Sequence, residues 1–319
     1  MTRVASVLAA SGTPPPDAIG HRIVHGGPLL RQHCRIDDAV LNQLQAAAAF
    51  APLHAPAALA LIRFAQAHFP GVPQVVCFDT QFHVGLPDMA RVLPIARELQ
   101  SEGTQRYGFH GLSLESIVRQ LGDALPQRLV IAHLGNGASI SAVKAGLSID
   151  TSMGMTPSGG VIMGTGSGDL DPGVLVYLMR EKKFDAARLE VLVDQRSGLL
   201  GISGLSGDMR RLHEAAASSR DARLAIAMFC YSVRKQVAAM IAVLGGLDML
   251  VFTGGIGEND AQVRTEVCAG LSWIGVSLDE PRNIAASNPV SDGASRCRVL
   301  VLPSQEEEQI ARHAWELLT

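Results

Sequence analysis

The sequence predicts an α/β protein. Two observations carry this. β-branched apolar runs alternate along the chain with segments whose apolar residues recur at helical spacing. Glycine turns stand at the ends of the strand-like runs. No short repeat or low-complexity tract is visible, which excludes solenoid architectures. The 319 residues are enough for two domains and a large core, and the 47% hydrophobic and 18% charged fractions are those of a folded globular chain.

The elements follow in order. MTRVASVLAASG resembles a secretion signal only faintly. Its apolar run is short and broken by Ser6, so it reads as a helix fragment, and Pro14-Pro15-Pro16 ends it. Ala18 to Val24 is strand material closed by Gly26-Gly27. Asp37 to Phe50 and Ala57 to His68 carry helical spacing. Gln74 to Phe78 is a buried strand ending at Asp79. Arg128 to His133 and Ala138 to Val143 flank the Gly135-Asn136-Gly137 turn as a hairpin. A long helix from about Asp221 to Leu244 stops at Gly245-Gly246. Asp248 to Thr253 is a strand broken by Gly254-Gly255-Ile256-Gly257. Arg298 to Leu302 is the last strand, and Ser304 starts the last helix, with Glu307 completing a capping box.

Charge and composition exclude several function classes. A net charge of -3 gives no electrostatic reason to bind nucleic acid, and 4% aromatics supply few stacking platforms. The longest apolar run, Val237 to Leu247, is too short to span a bilayer. Five cysteines, the closest pair being Cys268 and Cys297, form no CxxC site and suit reduced, buried thiols in a cytoplasmic protein.

The chemistry-bearing features are glycine turns with attached polar residues: Leu134–Ser139, Gly164–Asp169 and Gly254–Asn259. Consecutive backbone N–H groups in such turns make concavities suited to phosphate. No Gly-Lys dipeptide occurs, so no P-loop exists, and no GxGxxG opens a helix after a strand. Phosphoryl transfer needs a metal held by carboxylates, cations over the transferring group, and alignment. The candidate carboxylates are Asp79, Asp150, Asp169, Asp171 and Glu306; the candidate cations are Arg22, His54, His110 and Arg210. Taken singly each has a plainer reading: a strand ion pair for Arg22, a cap or satisfied core group for Asp79 and His110, a solvated helix start for Glu306. His21, His25 and His83 read as structural.

HRIVHGG, VCFDTQFH, RYGFHGLS, HLGNGAS, DTSMGMTP, GTGSGDLDP, ISGLSGDMR, FTGGIGEN and PSQEEEQIAR occur in this order. Together they resemble the acetate kinase family from residue 18 almost to the C-terminus. The resemblance implies an actin-like fold of two ribonuclease-H-like domains with an interdomain nucleotide cleft. It places the substrate side in residues 1–82 plus 306–319 and the nucleotide side in 83–305. It implies ATP/ADP, Mg2+ and acetate as ligands, direct in-line phosphoryl transfer giving acetyl phosphate and ADP, and a cytoplasmic homodimer with no nucleic-acid or membrane partner. Carried over residue by residue, Arg22 and His54 bind the substrate, and Val24, Leu53, Phe109 and Pro157 form a small apolar pocket. Asp79 resembles the catalytic aspartate, and a positioning or metal-linked role suits it, because a carboxylate substrate is already ionised at neutral pH. His110 resembles the histidine on the transferring phosphoryl group. His133, Leu134, Gly135, Asn136 and Gly137 resemble the phosphate turn. Asp208, Met209 and Arg210, with Gly254, Gly255, Ile256, Gly257, Glu258 and Asn259, resemble the adenosine segments. Glu306 matches the metal ligand.

Departures from the family pattern concentrate near the expected reacting centre. Gly166 stands where the pattern has the transition-state arginine, and a missing cation of that kind costs roughly 10³–10⁵ in rate. Gly159 stands where the pattern has glutamate, and Ala55 where it has asparagine; Leu112 and Leu114 replace threonine and histidine. Nothing before His21 matches the family's Asn-x-Gly-Ser-Ser-Ser-Leu-Lys segment, so the first domain is expected to be incomplete and dimerisation to support it. The expectation is an acetate kinase-like phosphotransferase with impaired turnover. The alternatives are a non-catalytic nucleotide-binding or dimerising remnant, and a propionate or butyrate kinase.

Overall fold

The computed structural model describes residues 16–319. The expected N-terminal helix fragment lies outside these residues. Among them, strands form two sheets. The first contains β1 (Ile19–Ile23), β3 (Gln74–Phe78) and β2 (Cys34–Arg35), in that spatial order. β1 runs parallel to β3 with Arg22 opposite Cys77, and β2 pairs antiparallel at the other edge of β3. β2 was not foreseen, because two residues give no periodicity to read.

The second sheet has the order β6-β5-β4-β7-β8. β4 (Arg128–Leu134), β5 (Ala138–Lys144) and β6 (Leu147–Thr151) form an antiparallel meander, and β7 (Met249–Thr253) and β8 (Arg298–Val301) add parallel strands beside β4. This is the ribonuclease-H-like pattern expected. The β4–β5 hairpin closes with Leu134 opposite Ala138 around Gly135-Asn136-Gly137, where the Gly135 N–H reaches the Gly137 carbonyl at 2.9 Å.

Both faces of this sheet are covered, so its strands read as continuous apolar runs. Val130, Ala132 and Leu134 point to one face, and Leu129 and Ile131 to the other, by the period of two. The first face packs on the long helix Arg220–Leu244 through Ala225, Phe229, Val233 and Val237. That helix starts on Ser219, whose side chain accepts from the Ala222 N–H, and ends on Gly245 at φ 70°. Its length and composition would let it cross a membrane, but its buried face is sheet core and its sequence carries Arg220, Asp221, Arg223, Arg234 and Lys235.

The principal helices used below are α1 (Asp38–Ala46), α2 (Ala55–His68), α3 (Gly111–Leu121), α4 (Pro172–Lys182), α5 (Met209–Ala215), α6 (Arg220–Leu244), α7 (Gly254–Asn259), α8 (Ala261–Ala269) and α9 (Glu306–Leu318). Asp37 caps α1 by accepting from the Val40 N–H at 2.7 Å. α1 runs on into a 3-10 turn through Phe50, so the foreseen 37–50 segment is two pieces. α3 joins the sheets: Leu114 and Ile117 pack under Leu129 and Ile131, while Leu112 packs with Val75, Cys77 and Ala314 of the first sheet and α9. The capping box expected at Ser304 does not form. α9 begins at Glu306 after Gln305, with no side-chain cap, and the Ser304 hydroxyl is engaged elsewhere. The glycine run after β7 is itself the short helix α7 rather than a turn.

Candidate active site

The site lies where the C-terminal ends of β1, β3, β4 and β7 meet the loops that follow them. Arg22 ends β1, and Asp79 follows β3; parallel pairing in register brings the two side by side. Arg22 Nε donates to both Asp79 oxygens at 3.1 and 3.0 Å, and Nη2 donates to Oδ2 at 2.7 Å. Nη1 of the same guanidinium lies 3.2 Å from Oε2 of Glu306 at the start of α9. Asp79 is 1% exposed. Burial pushes its carboxyl pKa upward, against the pull of Arg22. The Glu306 carboxyl is pushed up by burial, and by the Asp79 charge, against the same guanidinium. One fork-shaped cation therefore holds two desolvated carboxylates.

His110 stands at the N-terminus of α3 in the left-handed region, φ 60°. For a residue with a Cβ this costs of order 1 kcal/mol or more. The surrounding contacts impose it. The Gly111 N–H donates to the Asp79 carbonyl at 2.7 Å, and a Cβ on Gly111 would sit 2.3 Å from that oxygen. The His110 ring is fixed by Nδ1 against Ser139 Oγ at 2.9 Å and stacks on His133 at 4.1 Å between centroids. Burial, with His133 and Arg22 adding to it, holds the His110 pKa well below the ordinary value, so the ring is neutral. Burial, then Arg22, lowers His133 to about 4.

A cavity of about 1030 Å³ opens over this centre. Arg22, Asp79 and His110 line it, and so do His54 and the apolar Val24, Leu53, Phe109 and Pro157. Asn136 and Gly137 of the β4–β5 turn and Gly166 of the second glycine loop complete the wall. Behind the apolar part, His25 contacts Phe50, Tyr107 and Phe109 at ring distances of 5.1, 4.3 and 5.6 Å. Its Nδ1 accepts from the Gly27 N–H at 2.8 Å, and burial lowers its pKa to about 4, as a packed neutral histidine requires.

The other foreseen segments stand outside the cavity lining. His133 ends β4 opposite Thr253, which places Gly254–Asn259 of α7 beside His133, Leu134 and Gly135. Glu258 accepts from the Gly254 and Ser304 N–H groups, both at 2.9 Å, and Asn259 donates to the Gly255 carbonyl. Asp208 caps α5 and pairs with exposed Arg210 at 2.8 Å. His213 on α5 meets Asp260 at 2.8 Å, tying the 208–210 segment to α7 and α8. The Met209 side chain is 3% exposed and belongs to the core, as does that of Leu134. A nucleotide could meet these two only through their backbone.

The remaining candidate carboxylates are accounted for by local bonds. Asp171 caps α4, accepting from Gly173 N–H at 2.9 Å. Asp169 accepts from Gly160 N–H at 2.7 Å in the cavity wall. Asp150 accepts from Thr151 N–H and lines a separate space of about 340 Å³. Ser113, Ser139 and Ser304 also bond to site residues and were not foreseen, since a lone serine carries no spacing signal.

The description "Acetokinase family" is carried by the family model that matches residues 14–312. An acetate kinase of Methylocella silvestris is 48% identical over 94% of this chain and 75% of that protein. An acetate kinase 2 of Neisseria meningitidis serogroup B is 45% identical over 94% and 78%. Among solved structures, a propionate kinase of Francisella tularensis superposes with a TM-score of 0.95 at 37% identity, covering 99% of this chain and 84% of that one. The acetate kinase of Porphyromonas gingivalis gives 0.91 at 36%, covering 100% and 84%. The chain thus spans about three quarters of the length of the curated relatives it matches. With this coverage the chain belongs to the acetokinase family.

Proposed function

We propose that the cleft transfers the γ-phosphoryl group of ATP to acetate, giving acetyl phosphate and ADP. The observation that carries this is Arg22, set beside a cavity with the apolar Val24, Leu53, Phe109 and Pro157 on its wall. A short carboxylate matches that polarity: a charged end for the guanidinium and a methyl for the pocket.

In the reaction, a carboxylate oxygen attacks the γ-phosphorus as the bond to the ADP oxygen breaks, with attack and departure in line. No base is needed. Asp79 instead fixes the guanidinium through its three contacts. Neutral His110 donates from Nε2 to a phosphoryl oxygen, with Ser139 Oγ donating to Nδ1. Gly137 leaves room for that nitrogen, since a Cβ there would lie 3.1 Å from it. The turn from His133 to Gly137 offers backbone N–H groups to the phosphates, and 208–210 with 254–259 hold the adenosine.

Mg2+ fits the donor set. Asp79 and Glu306 are hard oxygen ligands in one buried network, and burial, with the Asp79 charge adding to it, raises the Glu306 pKa. Glu306 is the metal ligand in this reading, Asp79 its companion. The cation supplies charge neutralisation at the phosphate oxygens. The substrate side comprises 1–82 and 306–319 and the nucleotide side 83–305. Two copies pair, with exposed Val174, Val176, Tyr177 and Met179 of α4, a helix with no buried residue, as apolar surface for it. The free thiols suit a cytoplasmic setting.

A second reading, transfer to propionate or butyrate, is favoured by the propionate kinase likeness. Acyl phosphate trapped as the hydroxamate, from ATP, magnesium and each acid in turn, tests both. Acetate turnover above that of Arg22→Ala supports the first, and a higher kcat/KM on propionate or butyrate the second. No product with any acid despite measurable ADP binding would leave the non-catalytic remnant.

A further inference from the structure

The short turn Gln81–His83 that follows β3 reaches the site without lining its cavity. His83 is 1% exposed, and both of its ring nitrogens are engaged. Nε2 lies 3.0 Å from the Phe109 carbonyl oxygen, and Nδ1 lies 2.7 Å from Ser148 Oγ on β6. A carbonyl oxygen only accepts, so Nε2 carries the hydrogen. Burial lowers the His83 pKa to about 4, so the ring is neutral at neutral pH and Nδ1 accepts from the Ser148 hydroxyl. Gly108, at φ 72°, lets the chain pass close to this ring: a Cβ there would lie 2.6 Å from it.

A peptide unit is planar, so holding its oxygen or its N–H holds the whole plate. The φ of a residue is set by the plate before it and ψ by the plate after it. For His110 both plates are tethered. His83 holds the Phe109 carbonyl of the first, and the Asp79 carbonyl accepts from the Gly111 N–H of the second at 2.7 Å. These two bonds impose φ 60° and ψ 22°, a conformation that a residue with a Cβ disfavours. Both tethers come from residues 79–83, and the same stretch supplies the carboxylate that grips Arg22. One five-residue segment therefore fixes both the guanidinium and the imidazole that face the cavity. We infer that His83 is a positioning residue: through the Phe109 carbonyl it holds His110 in its left-handed conformation and so aims His110 Nε2 at the transferring phosphoryl group. What His110 meets there rests on the phosphotransferase reading. Ser148 completes the device by holding His83 in the tautomer that donates from Nε2. A core histidine that merely satisfies its neighbours would account for the burial, but its loss would lower stability without acting through His110.

The experiment compares His83→Asn with His83→Gln in the full chain. An asparagine amide reaches the place of Nδ1 and can keep Ser148 but not Phe109. A glutamine amide reaches the place of Nε2 and can still donate to Phe109. Acyl phosphate formation from ATP, magnesium and acetate gives kcat and KM. His83→Asn should lower kcat by roughly 10²-fold with both KM values little changed, and His83→Gln should recover most of that loss. In a His110→Ala background the same His83→Asn change should cost almost nothing more, because a residue acting through another is not additive with it. Equal kcat losses in the two variants, or an undiminished loss in the His110→Ala background, would overturn the inference. A second measurement needs no turnover. In nitrogen NMR of the chain labelled at histidine, the two rings are assigned by the signals lost in His83→Gln and His110→Ala. The parent His83 should be protonated at Nε2 and bare at Nδ1, and the His110 signals should move in His83→Asn but hold in His83→Gln. If the parent makes no acyl phosphate, the phosphotransferase reading fails, and these signals alone judge whether His83 sets His110. A parent His83 protonated at Nδ1 would overturn the inference even where His83→Asn does not fold, and so would His110 signals unmoved in a folded His83→Asn.

Discussion

Replacing Arg22 by alanine removes the one cation held between Asp79 and Glu306, and the structure sets the size of the effect. The shortest contact is 2.7 Å. At an effective dielectric constant of about 20 a pair at that distance attracts by roughly 6 kcal/mol. Arg22 is 42% exposed in its side chain, so part of that is screened by water. Asp79 is almost completely buried, so its charge, once unpaired, has no solvent to replace the guanidinium. Loss of one partner of a buried pair costs about 3–5 kcal/mol, and the exposure of Arg22 places this case at the lower end. A loss of about 3 kcal/mol lowers the melting temperature of a chain this long by roughly 4–5 °C. The deficit also depends on pH. The Asp79 pKa is already raised by burial, and without Arg22 it rises further. A carboxyl with a raised folded-state pKa takes up a proton on folding, so its contribution falls as pH rises through that value. Arg22→Ala is therefore most deficient at neutral pH and recovers toward the parent as acid neutralises Asp79. Thermal unfolding at about pH 7.5 and about pH 5 measures this. Equal melting temperatures at neutral pH, or a deficit that does not shrink in acid, would refute the ion-pair reasoning.

Gly166→Arg should raise acyl phosphate formation by ~10³-fold or more, if the position lacks only its cation. An added Cβ meets the flexible Met163 Sδ at 3.0 Å, so the fold should accept it, and an unchanged kcat in a folded variant would refute the reasoning. Glu115→Gln should cost on the order of 3 kcal/mol in urea unfolding near pH 6. Burial opposes ionisation of Glu115, but His313 at 2.7 Å and His33 hold its pKa at about 2, while Glu115 raises His313 against burial. The carboxylate's contribution is present above its ordinary value and lost as pH falls toward about 2. The contribution of His313 is present in acid and lost as pH rises through its raised value, so the Glu115→Gln deficit should shrink in alkali; a deficit independent of pH would count against the pair. Gly108→Ala should destabilise by roughly 2 kcal/mol or more. Gly108 sits at φ 72° with a Cβ position 2.6 Å from the His83 ring, and an unchanged unfolding midpoint would contradict that packing.

The legible parts of the site were those carried by contiguous segments. Arg22, Asp79 and His110 each end a strand or open a helix inside a recognisable motif, and the structure brings all three to one cavity. The 133–137 turn was legible because a hairpin register is set locally by its glycines. The roles of Met209 and Leu134 were not, since which side of a short segment faces the core depends on the layer packed against it. β6 was missed for a related reason: Leu147–Thr151 is short and its burial runs against its apolar alternation, with Leu147 exposed and Ser148 buried, so its pairing with β5 is fixed by the sheet.

By itself the sequence determined the alternation of strands and helices, the family, and the residue types around the reacting centre. Those properties depend on short windows, where side-chain type and spacing constrain the backbone directly. Only the tertiary structure decided that Arg22 bridges two carboxylates from opposite ends of the chain, 79 and 306. Only it decided that Glu258, Ser304 and Ser113 tie α7, α9 and α3 together, or that His110 is held neutral in a left-handed conformation. Such contacts join residues far apart in sequence, and their strength rests on burial, which no local window contains.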